Sequence, residues 1–103
     1  MKLKIGSLEY EIVYEHNPQS EEAEPLWGDV NHNRGVIRIQ ENMIENMQGI
    51  TVIHEALHGI MFERGMTNYQ NDEELIVPLA SGLVAFLKDN PDVLVLLGIG
   101  GDR

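Results

Sequence analysis

The chain has 103 residues, 43% hydrophobic and 23% charged, which is the size and composition of one globular domain and excludes disorder for the bulk of it. Seventeen acidic side chains against seven basic ones give a net charge of −10, the opposite of the basic footprint that nucleic-acid binding needs. There is no cysteine, so disulfides, Cys-ligated zinc fingers, iron–sulfur clusters and thiol nucleophiles are excluded, and any transition metal must be held by histidine and carboxylate.

Met1 to Ile5 is charged and enters a strand-like pattern directly, without the apolar core of a signal peptide. The longest apolar run, Val93 to Leu97, is far shorter than the roughly 20 residues of a membrane helix. The expectation is a cytoplasmic protein of bacterial or viral origin, with neither nucleic acid nor membrane as partner and an undetermined oligomeric state. Lys2–Ile5 and Leu8–Tyr14 alternate polar and apolar residues across Gly6-Ser7, which predicts a β-hairpin with one wet face. His16 to Leu26, with two prolines and the acidic Glu21-Glu22-Ala23-Glu24, reads as a surface loop. Trp27 to Asn33 reads as a connection or a short strand, and Gly35–Ile39, rich in β-branched residues, as a strand.

From about Ile44 the period changes. Ile50, Ile53, Leu57, Ile60 and Met61 recur every three or four residues, predicting a helix buried on that face and ending at Arg64-Gly65. A second helix should start at Asp72 as N-cap and run to Lys88, with Pro78 early in it. A short third helix follows Asn90-Pro91-Asp92, and then a glycine-rich tail that opens no helix and so makes no phosphate loop. The expected architecture is a single α+β domain spanning residues 1–103, with three strands and three helices.

The informative motif is His54-Glu55-Ala56-Leu57-His58. Residues four apart on a helix stand one turn above each other, so His54 and His58 can bring ring nitrogens to one ion while Glu55 reaches a water held there. Zinc makes such a water acidic near neutral pH, and a glutamate can take its proton as general base. A chain of this composition gives about 0.02 chance occurrences of the pattern, so two ordinary helix histidines are the poorer explanation. A third protein ligand is required. His16 and His32 lie upstream in polar surroundings and read as solvated. Glu73 and Glu74 open the second helix, and helical phase puts Glu73 on the line of Ile76, Val77, Ala80, Leu83 and Leu87, which should face the core. A carboxylate buried there would need a partner, which a metal provides. Tyr69, between the ligand helices, reads as a surface tyrosine, and the methionines as gap fillers in the core.

The helix Thr51–Ile60, the segment Gly28–Ile39, the stretch from Glu73 to Leu83 with Ile76, Leu79, Ala80 and Gly82, and the ending Leu87–Pro91 together resemble the small HExxH metallopeptidase-like proteins of phages and prophages, relatives of the ImmA/IrrE group and of minimal gluzincins. The resemblance covers most of the chain. It implies a minimal zincin-like fold, a three-stranded sheet packed on the HExxH helix and on a second, ligand-bearing helix. It also implies Zn2+ held by His54, His58 and Glu73, Glu55 as catalytic base, and a peptide or protein substrate. Zincin architecture further implies that Gly35–Ile39 borders the cleft and pairs with extended peptide. Gly59 departs from the pattern, which has alanine there, and should loosen the helix by about 1 kcal/mol. Two rivals stand beside a zinc peptidase: a zinc-stabilised regulatory or protein-binding module without hydrolysis, and a metal-free structural protein.

Overall fold

The alternation at the start of the chain forms β1 (Lys2–Ile5) and β2 (Leu8–Glu15), paired antiparallel with Ile5 opposite Leu8. A second hairpin follows, β3 (Gly28–Asn31) and β4 (Val36–Gln40), closed by the Gly35 N–H donating to the Asn31 carbonyl at 2.9 Å. The computed structural model describes residues 1–16, 18 and 27–100. Most of the expected surface loop, including Glu21–Glu24, and the end of the glycine-rich tail lie outside the described residues. The hairpins join through a parallel ladder between β2 and β4, giving the strand order β1-β2-β4-β3.

The sheet therefore has four strands, and the expected three is corrected. The extra strand, Gly-Asp-Val-Asn, holds a single β-favouring residue, Val30, so local preference argues against it. Tertiary pairing overrides that preference. Asp29 stands opposite Arg38, whose guanidinium Nε donates to Asp29 Oδ1 at 2.8 Å while Nη2 pairs with Oδ2. A second correction concerns Gly35–Ile39. Its strand β4 is hydrogen-bonded on both sides, by β2 and by β3, and has no edge to offer a peptide. The edge strand against the helices is β3.

Ile5, Tyr10, Ile12, Ile37 and Ile39 point to one face of the sheet and are buried there, with Val52 and Ala56 packed on them. Those last two belong to α1 (Glu45–Glu63). The helix has the predicted extent. It closes in a Schellman arrangement, with the N–H groups of Gly65 and Met66 reaching back to the carbonyls of Phe62 and Met61. Of the predicted line only Met61 is fully buried. Thr51, Glu55, His58, Gly59 and Met61 are buried, whereas Ile60 is 41% exposed. The bulky isoleucines and Tyr10 of the sheet take the small face of the helix. A methyl group on Gly59 would stand 2.9 Å from Ile5 Cδ1, so glycine here permits close approach as well as loosening the helix.

Next come α2 (Glu73–Asp89), whose N-cap Asp72 accepts from the Leu75 N–H at 3.2 Å, and α3 (Asp92–Leu96). Helix α2 packs on α1 through Ile76 and Ala80, while Val77 and Leu83 of the predicted buried face are largely exposed. Among the described residues, no helix is long and apolar enough to cross a membrane.

Gly35 holds φ +65°, and a methyl group there would lie 2.7 Å from the Glu9 carbonyl oxygen. Gly35→Ala should cost about 2 kcal/mol, more than a Gly-to-Ala change at an unstrained site, because both the backbone conformation and the β2–β4 seam oppose it. Urea unfolding of the variant beside the parent checks this.

Candidate metal centre

The i, i+4 spacing on α1 brings the Nε2 atoms of His54 and His58 to 3.3 Å from each other. Bonds of about 2.0–2.1 Å to a tetrahedral ion put two ligand nitrogens roughly 3.3–3.4 Å apart, so the pair is spaced as zinc ligation needs. The first residue of α2 completes the group. Glu73 Oε2 lies 3.0 Å from His54 Nε2, and its Oε1 lies 2.6 Å from His58 Nε2. One ligand atom from each of the three residues falls within 4.8 Å of the others, so the group could hold a metal ion.

The two histidines are prepared differently. His58 is buried, and its Nδ1 lies against the backbone carbonyl of Gln70. A carbonyl only accepts, so Nδ1 carries the proton and Nε2 presents its lone pair to the centre. Burial holds His54 below the usual histidine range against the opposing pull of the Glu73 carboxylate, which favours the neutral, ligating form.

Glu55 is buried, and its carboxylate accepts no hydrogen bond from any described residue. Its nearest basic atom is His54 Nε2, 3.9 Å away. Burial first, then the charges of Glu73 and Asp29, push its pKa up to about 8. The carboxylate opens on a cleft of about 330 Å³ lined by Trp27, Gly28, Met47, Ile50, Thr51, His54 and Val77. The cleft thus runs from the start of the edge strand, along the N-terminal half of α1, to α2.

The glutamate that helical phase selects is the one the structure brings to the histidines. Glu73 meets the histidines, and Glu74 is exposed and pairs with neither. The expected burial of Glu73 is not met: its side chain is 55% exposed and reaches the centre from the rim. His16 is solvated as expected, 3.4 Å from Glu41, and Tyr69 is 49% exposed. His32 is not solvated. It stacks on Phe62 with centroids 4.3 Å apart, and its Nδ1 lies 3.0 Å from the Tyr10 hydroxyl. It stays outside the ligand group, and burial together with His58 lowers its pKa. Gln70 acts through its backbone, so its side-chain identity gives no signal. Met47 and Thr51 could have been found as positions seven and three before His54, on the face that continues the ligand line.

Neither protein-family models, curated proteins nor solved structures give a match to this chain.

Glu73→Ala should weaken zinc binding at least tenfold, with Glu74→Ala near the parent, in titration against a competing chelator. In metal-stripped protein, Glu55 is easier to ionise unfolded than folded, so its ionisation removes stability as pH rises from about 4.5 towards 8. Glu55→Gln cannot ionise. Its stability advantage over the parent should be near zero at pH 4 and grow to a few kcal/mol by pH 8, read by urea unfolding at both values.

Proposed function

We propose that the chain is a minimal zinc-dependent peptidase of the zincin type, in keeping with its resemblance to phage and prophage HExxH proteins. The observation that carries this reading is the buried Glu55 carboxylate, left without a hydrogen-bond donor beside a His/His/Glu group at the wall of a cleft. A structural histidine cluster has no use for such a carboxylate, whose burial is costly.

His54, His58 and Glu73 would hold zinc, a donor set usual for a hydrolytic site. A zinc ion held there would supply Lewis-acid chemistry, polarising a carbonyl and making a water acidic near neutral pH. Glu55 takes the proton of that water and passes it to the leaving amine nitrogen. A pKa raised by burial suits this double duty, since the same carboxyl must hold the proton between the two steps. The His58 contact with the Gln70 carbonyl keeps the imidazole in the ligating tautomer throughout. An extended substrate pairs with the free edge of β3, and one apolar side chain enters the cleft between Met47, Ile50 and Val77.

Glu55→Gln should retain its zinc and fold yet lose peptidase activity by two to four orders of magnitude against a quenched-fluorescent peptide library. Retained activity in a metal-replete variant would remove Glu55 from the mechanism. A parent protein that holds equimolar zinc and cleaves nothing in the library would favour the zinc-stabilised binding module. Chelation of the zinc-loaded protein should lower its melting temperature, because an ion bound only by the native state stabilises it by mass action. An unchanged melting curve, with metal loss verified, would mean that zinc carries no structural weight.

A further inference from the structure

Among the described residues the sheet has a second unpaired edge, on the side away from the cleft, and it lies over a groove. Met1 O accepts from the Ile12 N–H at 2.8 Å, which fixes the phase of the β1–β2 ladder. Met1, Leu3 and Ile5 then bond to β2, whereas the backbone N–H and C=O groups of Lys2 and Lys4 point away from the sheet. Below that edge, Leu3, Ile5, Val52, Ile53, Ala56 and Ile60 line a groove of about 390 Å³ between β1 and α1. This is where the outward-turned aliphatic stripe of α1 lies.

Two of the seven basic residues of this acidic chain, Lys4 and Arg64, line the groove together with Glu63, and Lys2 stands on the same edge strand. Lys4 has no ion-pair partner among the described residues. Lys2 and Arg64 meet only exposed or local acids, Glu9 at 3.5 Å and Glu63 at 3.3 Å. We propose that the β1 edge and this groove form a docking site for an extended partner segment that alternates acidic and apolar residues. The segment adds as a fifth strand, bonds to the backbones of Lys2 and Lys4, sends its apolar side chains into the groove and sets its acids beside the lysines on the wet face. A second copy is the wrong occupant. Antiparallel pairing of β1 with itself would set Lys2 and Lys4 against their own kind, which is the usual way lysines keep an edge from self-association.

The probe is a fluorescein-labelled, acetylated peptide of sequence Glu-Val-Glu-Ile-Glu-Val, beside a control with lysine in place of each glutamate. Anisotropy should show saturable binding of the acidic peptide only, weakened by 0.5 M salt through charge screening. Amide NMR shifts should move in β1 and Val52–Ile60, not in β3. Lys4→Pro removes an outward N–H and leaves the β1–β2 ladder intact, so it should fold and weaken binding at least tenfold. If that variant melts early, the exposed pair Lys2→Glu with Lys4→Glu serves instead, with the same expectation. Absence of binding at millimolar peptide, equal binding of the lysine control, an unaffected edge variant, or shifts confined to β3 would each overturn the proposal. The first would leave the lysines as a shield for the edge, and the last would make the cleft the acceptor.

Discussion

Helix α1 sits on the sheet through Val52, Ala56 and Gly59, with a polar line buried beside them, and the other features of the molecule follow from that seating. Gly59 brings the helix close above Ile5 and Tyr10, and the residues on the same side, Thr51, Glu55 and His58, are carried into the interior with it. Burying three polar groups is unfavourable unless each finds a partner. Thr51 donates to the Met47 carbonyl at 2.7 Å, within its own helix, and His58 finds Gln70 in the connection beyond. Glu55 is the one left over. Its carboxylate accepts from no described residue and opens on the cleft instead.

The same seating divides the surroundings of α1 into two sides. Towards β3 it presents the two histidines and Glu55, with α2 closing the far wall, and towards β1 it leaves aliphatic side chains over the edge strand. Strand β3 is intrinsically poor and is kept in place by Arg38, which grips Asp29 and also reaches Glu15 at 3.4 Å. Arg38 has a second effect. Asp29 is one of the charges that raise the pKa of Glu55, and the guanidinium beside it limits the negative potential at the cleft.

Much of this was legible in the residues, and the failures have specific causes. The HExxH spacing identified both histidines because helical geometry leaves little freedom at i, i+4. Helical phase and the resemblance both singled out Glu73 over Glu74, and Asp72 marked the cap from which phase could be counted. Strand β3 was only half seen, because Gly28, Asp29 and Asn31 are poor strand formers whose pairing is imposed from outside. The buried face of α1 was misassigned for a related reason. Periodicity finds an apolar stripe but cannot tell that a glycine and a polar line will be pulled against the sheet instead. The His32 stack on Phe62 and the Gln70 carbonyl contact join segments far apart in sequence, and no local pattern encodes them.

The sheet consists of two tight hairpins sewn together by one parallel ladder, and this bears on how the chain reaches its fold. Each hairpin closes a short local loop, which is entropically cheap and fast. The β2–β4 seam instead requires β4 to insert between its own hairpin partner and a strand some 25 residues earlier, the kind of nonlocal parallel pairing that slows folding. Only after that insertion does the Glu11 N–H find the Gly35 carbonyl, at 2.8 Å, and only then is there a continuous surface for α1 to settle on. The rate-limiting event on the route to the native state is therefore assigned to the middle of the sheet, with α1 and α2 docking afterwards.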